Sequence, residues 1–185
     1  MKQQINKKPQ FSVRESSEEE ADSLLKTIPA KILEDAFHLE KERKEKEYSY
    51  WALPKEEDAA EKDARIYYLV NYNEIPYLLV GINPRPVFQI SSLARIADKV
   101  NENAAADCLQ ELILHKLVPK CNGKTPRQEF ITALTNYGGR TVFEKLKRRT
   151  IEGVEIFVSE KPTNQDWKGK EYWSCRIDIK DPSQI

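Results

Sequence analysis

Two runs of strictly alternating residues constrain this chain more than anything else in it. Val154, Ile156 and Val158 alternate with Glu155, Phe157 and Ser159. Trp173, Cys175, Ile177 and Ile179 alternate with Tyr172, Ser174, Arg176 and Asp178. A period of two, rich in β-branched and aromatic residues, suits a pleated strand and no helix. Both runs are therefore expected to be paired strands. The segment between them, Glu160 to Glu171, holds Pro162, Asn164, Asp166, Lys168, Gly169 and Lys170. It is too long for a tight hairpin turn. It reads either as a wing that reaches a phosphate backbone through Lys168 and Lys170, or as a mobile loop.

Upstream of these runs the pattern changes. Phe130, Ile131 and Leu134 fall at helical spacing and predict a helix from Pro126 to Asn136. Gly138 and Gly139 read as a helix C-cap and turn. Val142, Phe143 and Leu146 then predict a second helix from Arg140 to Arg149. With that stripe inward, Arg140, Thr141, Glu144, Lys147 and Arg148 face outward. Two short helices followed by a hairpin give Thr125 to Lys180 the outline of a winged helix-turn-helix, with the basic helix as its recognition element. The alternative is a solvated face in a lysine-rich protein.

Residues 1–15 are polar and aperiodic and are expected to form a disordered tail. Ser16, Ser17 and Glu18–Glu20 mark a helix start. Leu24, Leu25, Ile28, Ile32, Leu33, Ala36 and Phe37 continue at helical spacing, interrupted by Pro29. Residues 16–47 are thus expected to form a helical extension. A core of α+β type follows over 48–124. Tyr48–Leu53, Arg65–Tyr72 and Tyr77–Ile82 read as a small antiparallel meander. Tyr67, Tyr68, Tyr72 and Tyr77 are expected in its core, the alternative being a stacking platform for bases. Ser92–Val100 and Ala104–Leu117, divided by a turn at Asn101–Asn103 or continuous as one long helix, read as helical and packed over the sheet. The winged-helix-like segment, 125–185, is expected to pack on the same core. The expected fold class is α+β: an antiparallel sheet covered by helices, with the N-terminal extension and the winged part.

Lys plus Arg and Asp plus Glu are equal at 30 each, so any anionic partner must be met by a local patch. No apolar run approaches a membrane span, and three widely spaced cysteines suit reduced thiols in a cytoplasmic protein. His38 and His115 lack metal-ligand spacing, so neither metal nor cofactor is expected. Asp178-Ile179-Lys180, with Glu155 or Glu152 as a second acid, matches the end of a metal-dependent nuclease motif. These features point to a non-enzymatic regulatory or accessory nucleic-acid-binding protein using Arg140, Thr141, Lys147, Arg148, Lys168 and Lys170. The alternatives are a protein–protein adaptor, self-associating or not, that uses the amphipathic 18–40 segment, and a nuclease.

Overall fold

Residues 66–83 carry apolar side chains at nearly every position, as strands covered on both faces require. In the computed structural model, which describes residues 8–26, 28, 66–83, 89–121, 130–135, 137–165 and 171–179, they form β2 (Ile66–Tyr72) and β3 (Ile75–Asn83). Asn73 and Glu74 join them with φ of 48° and 68°, the double positive φ of a two-residue turn whose twist matches the flanking strands. The backbone N–H of Gln10 donates to Asn73 Oδ1 at 2.9 Å, and that of Asn73 donates to the Gln10 carbonyl at 2.8 Å. These bonds bring in β1 (Phe11–Ser16), which lies against β2 from Phe11↔Tyr72 to Ser16↔Tyr67. Residues 11–15, expected within a disordered tail, are thus part of the sheet.

Helix α1 (Glu18–Lys26) begins where its sequence signals place it. The Glu20 N–H donates to Ser17 Oγ at 3.1 Å, while Ser16 Oγ donates to the Glu20 carboxylate at 2.9 Å. Ala21, Leu25 and Ile28 pack on Tyr67, Leu69 and Leu79. The alternate residues Tyr68, Val70, Leu78 and Val80 face the opposite way, into the main core. Tyr67, Tyr68, Tyr72 and Tyr77 are all buried, so they are core residues and no stacking platform. The later part of the expected extension, 29–47, and the expected strand at 48–53 lie outside the described residues.

The other side of β3 pairs with β4 (Gln89–Arg95). The chain then forms α2 (Ala104–Leu112), a π-helical stretch (Ile113–Leu117) and a short helix α3 (Val118–Cys121). β5 (Phe130–Thr135) follows and lies parallel to β4. Parallel neighbours need a crossover long enough to return the chain, and the helical run supplies it. Leu109, Leu112, Ile113 and Leu117 are fully buried on the sheet, each stabilising by roughly 1.5–3 kcal/mol. α4 (Tyr137–Lys147) leads to β6 (Val154–Val158), β7 (Asn164–Gln165) and β8 (Glu171–Ile179). The sheet order is β1-β2-β3-β4-β5-β8-β6, with β7 paired to β8. Phe143 and Leu146 of α4 are buried in the same core as Ile156, Val158, Cys175 and Ile177.

Two expected helices are strands. Ser92 to Arg95 belongs to β4, and Phe130 to Thr135 is β5. The winged-helix outline fails here, because its first helix is a sheet strand inserted between β4 and β8. Gly138 and Gly139 sit in the first turn of α4 and do not separate two helices.

Candidate active site

One pair of neighbours among the described strands, β4 and β5, runs parallel. Among the described residues, β4 and β5 pair only at Gln89↔Thr132 and Ile90↔Ala133. β4 then runs on to Arg95, held by β3 on its far side through Leu78↔Arg95. β5 runs on to Thr135, held by β8 through Thr135↔Trp173. The register explains the parting. Ile82 faces Ile90 and Gly81 faces Ser92, so Ser91 is an extra residue in β4. Such a bulge bends its strand and raises the local twist. β4 therefore turns away from β5 directly after their last shared pair. The result is a split that opens towards the carboxyl ends of both strands, the position where ligands of parallel sheets settle.

The floor of the split on the β5 side is tightly built. Thr135 is buried, with its hydroxyl 3.7 Å from the Cys175 thiol. Gly139 approaches so closely that a Cβ there would stand 2.8 Å from Thr135 Cβ. The Arg140 guanidinium lies 5.0 Å from the centre of the Trp173 ring and 3.8 Å from Glu144. Burial pushes the Cys175 thiol up to about 11, partly offset by the Thr135 hydroxyl, and burial pushes Cys108 up to about 12. Both remain protonated at neutral pH and are poor nucleophiles.

On the sheet face opposite α4 lies an open groove of about 650 Å³, bordered by Gln89, Phe157, Ser159, Asn164, Ser174 and Arg176. Arg176 stacks on Phe157 at 4.8 Å and pairs with Asp178 at 2.7 Å. Gln89 belongs to the last β4–β5 pairs, so the groove reaches the base of the split.

The split's rim between β4 and α2, Ile96 to Asn103, is tied to the core. The Ile96 N–H donates to the Tyr77 carbonyl at 2.9 Å, and Asn101 Nδ2 donates to the Tyr72 hydroxyl at 3.0 Å. Burial raises the pKa of the Tyr77 hydroxyl, and Arg95 and the Val100 backbone beside it act in the opposite sense. The Asn103 N–H donates to Asn101 Oδ1 at 2.8 Å, and Lys145 Nζ donates to the Glu102 carbonyl. The rim carries charges of both signs, with Lys145 reaching the Glu102 carbonyl. It presents Asp98 and Glu102 beside Lys99, and Asp107 of the first α2 turn is paired to Arg149 at 2.7 Å.

No protein-family model matches the sequence, and no curated protein matches it. Solved structures match by fold. The chain is similar to an acetyl transferase from Salmonella typhimurium that modifies the N-terminal serine of 50S ribosomal subunit protein L7/L12. The TM-score is 0.50 at 12% identity, covering 92% of this chain and 95% of that one. It is also similar to the ribosomal-protein-S5-alanine acetyltransferase of Vibrio fischeri, with a TM-score of 0.50 at 10% identity over 93% and 94% of the two chains. An acetyltransferase of the GNAT family from Streptococcus pneumoniae gives 0.49 at 13% identity over 93% and 100%. At these identities the likeness establishes the fold, which is that of acetyltransferases.

That fold overturns the expected winged-helix regulator. Of the residues assigned to nucleic acid, those described lie on α4 or directly after it. Arg140 is engaged with Trp173 and Glu144. Thr141, Lys147 and Arg148 are exposed, and Lys168 and Lys170 lie outside the described residues. Lys145 and Arg149 are bonded to the β4–α2 rim and to α2. The nuclease alternative meets the same correction: Asp178 is paired with Arg176, and Lys180 lies outside the described residues. Among the described residues no cluster of His, Cys, Asp or Glu could hold a metal, and no helix is long and apolar enough to cross a membrane. The split was not visible in the sequence. Its only local signal is the Ser91-Ser92 pair inside an apolar run.

Proposed function

We propose that this protein is an acyltransferase that moves a short acyl group from an activated thioester to an amine. The observation that carries the proposal is the bulged parting of β4 from β5 within an acetyltransferase fold. The edge of β4 beyond Ile90 can bind an extended, amide-bearing arm through main-chain hydrogen bonds, as an added strand would. The groove beside Gln89, Ser159, Ser174 and Arg176 gives an acceptor access to the base of the split from the other face. One of the matched enzymes modifies the N-terminal serine of a ribosomal protein and another is named for an alanine of one, which supports a protein or peptide amine as acceptor.

A thioester supplies an acyl carbon already activated towards attack, so the protein's task is to hold donor and amine in line and to exclude water. The Cys108 and Cys175 thiols are buried and protonated, so neither carries the acyl group between partners. The step proposed is direct transfer, in which the amine takes the acyl carbon and the thiol leaves.

The test is mass spectrometry of peptides with free serine or alanine N-termini, incubated with the protein and an acetyl thioester, with thiol release followed in parallel. A mass gain of one acetyl group on the peptide, with stoichiometric thiol, is expected. Release no faster than without protein, across the peptide panel and a set of small primary amines, would overturn the proposal.

A further inference from the structure

The groove on the sheet face opposite α4 carries its charge at one point. Among the described residues that border it, Arg176 alone is charged. The serines there are already engaged: the Ser174 hydroxyl lies 2.6 Å from that of Thr163, and Ser159 Oγ accepts from the Ser174 N–H at 3.2 Å. Arg176 is fixed from two sides. Its Nε and Nη2 meet Asp178 Oδ1 and Oδ2 at 2.7 and 2.9 Å, and its Cζ stands 4.8 Å from the centre of the Phe157 ring. A guanidinium offers two edges whose paired N–H groups match the two oxygens of a carboxylate. Asp178 takes the edge made by Nε and Nη2. The end edge, made by Nη1 and Nη2, has no partner among the described residues, and the side chain is half exposed. Since the pair and the stacking set the fork beforehand, little freedom is lost when that edge binds.

Strand register sets the distance from this edge to the base of the split. Thr132 of β5 is paired with Gln89 on one side and with Arg176 on the other. Gln89 and Arg176 therefore stand in one row across the sheet, two strand spacings or roughly 10 Å apart. An extended peptide advances about 3.3 Å per residue. One whose amino terminus lies beside Gln89 brings its second or third residue to the guanidinium. From this we infer that Arg176 selects the acceptor: a peptide amine with a carboxylate on its second or third residue, held by the end edge of the Arg176 fork. The inference rests on the acyltransferase reading and specifies its substrate. Asp178 is a positioning residue, acting through the guanidinium. It also offsets the charge of Arg176 at a distance, so the gain comes from directed bonds at contact, which two carboxylate oxygens satisfy and one amide oxygen does not.

The experiment follows acetylation of N-terminal serine peptides that carry Glu, Gln or Lys at the second and third positions. Binding of the same peptides, labelled at the carboxyl end and read by fluorescence anisotropy, ranks them without turnover. A kcat/KM about tenfold higher for Glu than for Gln is expected, the difference between a charge-assisted pair and a neutral bond, with Lys no better than Gln. Arg176→Gln should erase the preference in both measurements. If that variant does not fold, Arg176→Lys, which keeps the charge and loses the fork, should still lose most of it. Equal values for the Glu and Gln peptides, or a preference that survives the Arg176 substitution, overturn the inference and leave the acyltransferase standing. Acetylation of no peptide overturns the acyltransferase reading, and the inference falls with it.

Discussion

Substituting Gly139 by alanine sets two effects against each other in one position. Alanine is the better helix former by about 1 kcal/mol, and it also restricts the unfolded chain. The structure opposes both. The new Cβ would stand 2.8 Å from Thr135 Cβ and 3.2 Å from its Cγ2. Thr135 cannot yield cheaply: it is buried, its backbone is held between neighbours in β5, and its hydroxyl meets the Cys175 thiol. Relief requires α4 to lift off the end of β5. Overpacking of this kind costs about 1–3 kcal/mol. A typical cost of about 2 kcal/mol, less the propensity gain of about 1, leaves a net loss of about 1 kcal/mol. For a chain of this size that lowers Tm by about 2–4 °C. Since the nearest atom is Cβ itself, Thr135→Ala should not rescue Gly139→Ala, whereas Thr135→Gly should remove the clash. Urea unfolding of the singles and doubles measures this as a coupling energy. A Gly139→Ala protein about 1 kcal/mol more stable than wild type would refute the reasoning, because propensity alone would then be operating.

The Glu20 carboxyl is held at about 2 by hydrogen bonds from Arg14 and Ser16. A carboxyl depressed in the folded state stabilises above its unfolded pKa and loses that contribution as pH falls towards 2. Acid titration should therefore cost wild type more than Glu20→Gln, by less than about 1 kcal/mol because the pair is exposed; equal losses would remove the pair from the stability account. Cys108 and Cys175 should resist iodoacetamide at neutral pH in the native protein and react on unfolding, as read by intact mass. Phe143→Ala, which empties a fully buried site between α4 and the sheet, should cost about 3–5 kcal/mol in denaturant titration.

Strands with a single covered face were legible because their side chains alternate without competition. The runs at Val154–Val158 and Glu171–Ile179 belong to this kind. Phe130–Thr135 was not, because apolar residues at 130, 131 and 134 satisfy a helical spacing as well as any. Its buried members in the sheet are Ile131, Ala133 and Thr135, and the last two give a weak apolar signal. Ser92–Arg95 misled for the same reason, with Leu93, Ala94, Ile96 and Ala97 imitating one helix face. In both places strand pairing decided the outcome over local spacing. The candidate site was still less legible. It arises from one extra residue at Ser91 and from a parallel contact between segments far apart in the chain, neither of which leaves a pattern within a sequence window.

The position of β8 has a consequence for how the protein is made. β8 is the last described strand to leave the ribosome, yet it takes an interior place between β5 and β6. β1 to β4 can assemble from neighbouring hairpins while synthesis continues, apart from the long link between β1 and β2. β5 has only two parallel pairs with β4 to hold it until β8 arrives. One half of the split is thus laid down early and the other waits for nearly the whole chain, with the apolar side of β6 and α4 uncovered in the interval. Ribosomes stalled before residue 171 should carry a folded β1–β4 half and an unfinished second half, which is the state in which this protein most needs a chaperone.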